Sequence, residues 1–122
     1  MLHFPVRFDS WYRGISLLAF IRPSSSFINV GDEINVHMGW AFDATFPRSA
    51  IARLEAGPAS VLSRGVHGWD GRWLVNGSGY GLVTFTLDPE QSARMSGIRV
   101  RLRELIVSVD DPVEFIAAVT AH

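Results

Sequence analysis

The chain has 122 residues, 48% of them hydrophobic and 19% charged, which is the profile of one folded domain around one core. Its formal net charge of −1 argues against a general nucleic-acid binder, which needs a basic surplus to neutralise phosphates. It contains no cysteine and no lysine, which excludes disulfides, thiolate metal sites, cysteine nucleophiles, Schiff-base chemistry and a P-loop lysine.

The opening MLHFPVRFDSW places a proline and charges where a signal peptide needs an apolar core. The longest apolar run, residues 15–21, is far short of the roughly 20 residues that span a bilayer. The expectation is a cytoplasmic protein, with peripheral attachment to a membrane left open. Residues 3–8 read as a short strand that Pro5 confines to an edge or a strand start. Asp9 or Ser10 then caps a helix in which Trp11, Ile15 and Leu18 recur at helical spacing, ended by Pro23.

Residues 26–46 alternate with period two in three runs. Ile28 and Val30 are followed by a Gly31-Asp32 turn. Ile34, Val36 and Met38 come next, and after Gly39 so do Trp40, Phe42, Ala44 and Phe46. This is a β-meander with one buried face. Residues 49–56 read as a further strand, with a short helix as the alternative. Residues 73–76 also read as a strand, as do residues 82–88 with Val83, Phe85 and Leu87 on one face. Residues 98–109 alternate twice. Ile98, Val100 and Leu102 share one phase, Leu105, Val107 and Val109 the other, so a bulge or break falls near Arg103-Glu104. The end, DDPVEFIAAVTAH, has Asp111 as a cap, Pro112 in first position and Glu114 completing a capping box; Phe115, Ile116 and Val119 form its apolar face. The whole, residues 1–122, reads as a single domain.

Several residues carry a structural resemblance. They are Phe4-Pro5-Val6-Arg7-Phe8-Asp9, the strands around Gly39-Trp40, and Val107-Ser108-Val109-Asp110-Asp111-Pro112. With the order of elements, the chain resembles the bacterial PH-like domains, and more narrowly a group of uncharacterised actinobacterial proteins. The resemblance implies a mainly-β, PH-like antiparallel barrel of six to seven strands with a C-terminal capping helix. It brings no catalytic residue, and a shared fold does not specify a function.

Residues 65–81, GVHGWDGRWLVNGSGYG, hold six of the eleven glycines. The stretch 77–81, GSGYG, has neither the spacing nor the following helix of a dinucleotide fingerprint or a nucleophile elbow. It reads as a hairpin turn in which glycine supplies positive φ. The four histidines show no metal-ligand spacing, so no metal and no cofactor are expected. Two features point to binding. Trp69 and Arg72 flank the Asp70-Gly71 turn as a ligand-contacting loop. Arg99, Arg101 and Arg103 project from one strand face, about 7 Å apart, as a ladder suited to phosphate or acidic side chains unless neighbouring strands supply carboxylates. The amphipathic segment 11–21 packs over one end of the barrel or touches a membrane or partner. The expectation is a non-enzymatic binding or scaffolding module for an anionic lipid headgroup or an acidic protein partner. The alternatives are a lipocalin-like barrel holding a small apolar ligand, and a small hydrolase or isomerase using Asp43, His37 or His67.

Overall fold

The structure is a computed structural model and describes residues 2–9, 26–58 and 65–121. The helix expected from Trp11 onward and the amphipathic segment 11–21 lie outside the described residues. Within them the chain forms β1 (Leu2–Pro5), β2 (Ser26–Val30), β3 (Glu33–Met38), β4 (Phe42–Pro47), β5 (Ile51–Ala56), β6 (Gly65–Trp69), β7 (Arg72–Asn76), β8 (Leu82–Met95), β9 (Ile98–Ser108) and one helix, α1 (Pro112–Thr120).

The β2–β4 meander follows its alternation except at Trp40, expected on the buried face but exposed in the turn before β4 starts at Phe42. Ile28, Val30, Ile34, Val36, Met38, Phe42, Ala44 and Phe46 are buried, while Asn29, Asn35, His37, Asp43 and Thr45 take the other face. The centre of the fold is β8. Its first half pairs with β5 and its last residues with β4, while β9 runs along its opposite flank. Strands β4 and β5 therefore occupy the same flank of β8 at different heights, joined by the 3-10 turn Arg48–Ala50.

Alternation predicted the end of this strand at Asp88, but β8 runs on to Met95. Pro89 has no N–H to give a ladder, and there the register breaks: Thr86 lies opposite Glu104, yet Gln91 lies opposite Leu102. The expected phase slip in β9 is a bulge. The N–H groups of Arg103 and Glu104 both donate to the Gly71 carbonyl, at 2.7 and 3.0 Å. Leu102 before the slip and Leu105 and Val107 after it all reach the core. Ile98 does not. It pairs with Met95 beside the hairpin turn, past the end of the core, and is 65% exposed.

The expected closed barrel of six to seven antiparallel strands needs correction. Among the described residues the ladder runs β1-β2-β3-β4-β8-β9-β7-β6, with β5 on β8, and it has two ends: the sheet is open. Strand β9 inserts between β7 and β8 and pairs in parallel with β7, so the order is not a plain meander. After β1 the chain crosses toward the far end of the sheet, where Val6 bridges Val109 and Phe8 bridges Gly77. These are isolated bridges, though both side chains are buried.

Helix α1 forms as its signals require. The Asp111 carboxylate accepts from the Glu114 N–H at 3.1 Å, and Pro112 takes the first turn, where no N–H is needed. The helix buries Phe115 and Val119, whereas Ile116 is only partly covered. The Phe115 ring meets Phe4 and Phe85 edge-on, with centroids 5.1 and 6.0 Å apart, and Phe85 meets Phe46 the same way at 5.6 Å.

Candidate functional site

The arginine ladder lies on the face of β9 away from the core, as its spacing requires, but its members differ. Arg101 holds Glu90 through its Nε and, at 3.5 Å, through Nη2; its Nη1 lies 3.5 Å from Asp70. The hydrogen bond and charge of Glu90 raise the Arg101 pKa, and Asp70 adds to the rise. Arg103 donates from Nη2 to the Asp70 carbonyl at 2.8 Å and to its carboxylate at 3.3 Å. Its stem lies over Gly71, where an added Cβ would stand 3.0 Å from Nε. Asp70 and Gly71 have φ of 52° and 81°, the two left-handed residues of a tight hairpin turn between β6 and β7. Arg101 and Arg103 therefore clasp that turn and the strand after Pro89 against β9. The expectation of three arginines awaiting an anion is corrected for these two, because β8 and the turn supply the carboxylates.

Arg99 makes no ion pair among the described residues. It stands directly opposite Arg94 of β8, which the sequence analysis missed. Arg94 in turn lies opposite Asp43 of β4, without ion-pair contact, and donates to the Gly97 carbonyl at 3.4 Å. The missing signal was the weak alternation of residues 91–95, where only Ala93 and Met95 mark the inner face beyond the Pro89 break. Around these arginines the outer face is shallowly concave. One open cleft of about 620 Å³ is lined by Glu90, Gln91, Ser92, Arg99, Val100 and Arg101. A second, of about 230 Å³, brings Arg94 and Arg99 together with Asp43, Thr45 and Ser92.

The Trp69–Arg72 pair lies on another part of the sheet. Trp69 is 84% exposed at the end of β6, and with Arg72 it borders an apolar groove formed by Leu74 and Ile106. Trp73 is instead a core residue, buried near Phe42 and donating from Nε1 to the Arg101 carbonyl at 3.0 Å. Thus Trp69 and Arg72 are not brought together with Arg99.

The residues of the catalytic alternative are divided. His37 Nδ1 lies 3.2 Å from the Asp43 carboxylate on the outer face, but His67 sits on β6, opposite Leu74. Asp43 also accepts from Asn35 at 3.2 Å, and the His37 ring stacks on Phe27 with centroids 5.2 Å apart. Ser78 is fully buried; its hydroxyl donates to Asp9 at 2.8 Å and accepts from the Tyr80 N–H at 3.2 Å. A Cβ at Gly77 would fall within the Phe8 ring, and one at Gly81, where φ is +69°, would strike the Val109 carbonyl. The expected hairpin turn at 77–81 is therefore corrected: β7 and β8 each pair with β9 and not with each other, so 77–81 is a connecting loop, positive in φ at Gly81, whose glycines let it lie against the N-terminal segment and the end of β9. No cluster of three or more metal-ligating side chains occurs among the described residues. Nor is any described helix long and apolar enough to cross a membrane. No family model matches this chain, and no curated protein or solved structure matches it either.

Proposed function

We propose that this chain is a non-enzymatic binding module that recognises an anionic group through Arg94 and Arg99. The observation that carries the reading is the direct opposition of these two arginines across β8 and β9, with no ion pair from either among the described residues; the Asp43 carboxylate in the same concavity is engaged by Asn35 and His37. Like charges directly opposite in a sheet repel, with Cβ atoms about 5 Å apart, and a bound anion relieves that repulsion. Guanidinium forks suit phosphate or carboxylate oxygens, and Ser92 and Thr45 line the same concavity with hydroxyl donors.

The reading calls for no cofactor. It includes the PH-like character of the fold, supported by a mostly antiparallel sheet with the C-terminal helix packed on its core. We place the module in the cytoplasm on the same footing. The interior is filled by Phe42, Phe46, Phe85 and Phe115, each less than 2% exposed, which favours the outer face over an internal apolar ligand. The commitments of Asp43 to Asn35 and of His37 to Phe27 favour a structural role for that pair.

The test is titration with inositol hexakisphosphate as a soluble polyanion, comparing wild type with Arg94→Ala/Arg99→Ala and Arg101→Ala/Arg103→Ala. The first pair abolishes binding and the second leaves most of it. Wild-type binding falls as salt rises past 0.1 M, where charges are screened over about 10 Å. Unchanged binding by Arg94→Ala/Arg99→Ala overturns the assignment.

A further inference from the structure

Arg94 and Arg99, without an ion pair among the described residues, stand next to an apolar tip. The β3–β4 turn and the β8–β9 turn lie side by side, tied by the Ser96 N–H donating to the Ala41 carbonyl at 2.9 Å. Each turn presents a large apolar side chain: Trp40 is 58% exposed and Ile98 is 65% exposed. Gly39, Ser96 and Gly97 have φ of 52°, 52° and 82°, so both turns are tight. A Cβ on Gly97 would meet nothing within 4 Å, so the end of this hairpin projects into open space. Arg94 and Arg99 are each one residue further from the turn than Met95 and Ile98, about 3.3 Å along the strands, and on the opposite face.

Resting on the anion reading above, we propose that this tip docks on an anionic bilayer surface. Trp40 and Ile98 enter the headgroup–acyl boundary, and Arg94 and Arg99 bind lipid phosphates just above it. The order of groups matches the order of layers in a bilayer. Apolar side chains lead, tryptophan favours the interface, and arginine stems reach back so that their charged heads meet phosphate. Arginines near an anionic leaflet are drawn to it by its negative surface potential. Charge alone would suit an acidic protein equally. The two exposed apolar side chains on turns tied to each other, one of them projecting into open space, decide for a fluid surface, which takes up such a tip without a matching pocket.

The experiment is co-sedimentation with vesicles of phosphatidylcholine alone and of phosphatidylcholine with phosphatidylserine, alongside the soluble polyanion titration. The wild-type chain binds the anionic vesicles and leaves the neutral ones. Ile98→Ser, a change at an exposed position, weakens anionic-vesicle binding about tenfold or more, the loss expected for removing one inserted aliphatic side chain. It leaves inositol hexakisphosphate binding unchanged, which also reports an intact fold; Trp40→Ser behaves alike. Vesicle binding by Ile98→Ser equal to wild type overturns the docking proposal. So does wild-type binding of the polyanion without binding of vesicles, or equal loss of both ligands in Ile98→Ser. In those cases the anion site stands if Arg94→Ala/Arg99→Ala still loses the polyanion, and falls if it does not.

Discussion

Phe115 holds helix α1 to the sheet, and Phe115→Ala measures how much of the fold depends on it. The side chain is fully buried and meets the rings of Phe4 and Phe85 edge-on. Removing a buried phenyl ring costs about 3–5 kcal/mol, of which the lost aromatic geometry is about 0.5–1.5 kcal/mol per pair. Domains of this size have about 5–15 kcal/mol in all, so the variant keeps a reduced margin. At roughly 4 °C per kcal/mol the melting temperature falls by about 12–20 °C. Urea unfolding followed by circular dichroism is the assay, read as a lower midpoint with an unchanged slope. Ile116→Ala is the internal control. Because Ile116 is only partly covered, its loss stays near 1–2 kcal/mol. A Phe115→Ala variant within 1 kcal/mol of wild type, or an Ile116→Ala variant that costs more, refutes the packing argument.

Three further outcomes test the loops and the cap. Gly81→Ala loses more than about 2 kcal/mol, because the positive φ costs about 1–2 kcal/mol and the new Cβ strikes the Val109 carbonyl; Gly97→Ala, with positive φ and open space, loses only the first part, and equal midpoints in urea would refute the distinction. Ser78→Ala costs about 1.5–3 kcal/mol through the lost hydrogen bond to Asp9, while a serine-directed phosphonate leaves wild-type Ser78 unlabelled; covalent labelling would contradict the structural role. Asp111→Ala costs about 0.5–2 kcal/mol in thermal unfolding, and Asp111→Asn, which keeps a capping oxygen, recovers most of it.

The parts of the fold legible in the sequence are those where one residue type decides the local geometry. The meander over 26–46 alternates with little interruption, and Asp111-Pro112 with Glu114 marks the start of α1. The bulge at Arg103-Glu104 shows as a change of phase. What escaped depends on pairing across the chain. Nothing in VHGWD predicts that β6 forms, because its side chains are mostly exposed and its place is set by the ladder with β7. The second half of β8 is hidden behind Asp88-Pro89-Glu90, which reads as a turn but is a register break within one strand. The parallel contact of β7 with β9 is a tertiary choice that no local pattern encodes. The candidate site divides in the same way. The direction of Arg99, Arg101 and Arg103 follows from period two, whereas their partners follow from which strands lie alongside.

That difference decides how the ladder is to be used. Equal spacing along β9 makes the three arginines equivalent only until the neighbours are counted. Arg103 stands at the bulge, where the Gly71 carbonyl already binds β9, so its guanidinium falls within reach of Asp70. Arg101 stands opposite Ser92, close enough to the break at Pro89 for Glu90 to reach back to it. Both charges are consumed where the β6–β7 hairpin and the middle of β8 meet β9, and exposed pairs of this kind add little stability singly. Arg99 is beyond the reach of either carboxylate and faces another arginine. The charge left for a partner is therefore concentrated at the free end of the β8–β9 hairpin, beside Ile98. A triple substitution of Arg99, Arg101 and Arg103 would remove clasp and site together and would not separate them. Splitting the ladder between Arg99 and Arg101, and adding Arg94 to the first part, makes a loss of binding distinguishable from a loosened turn.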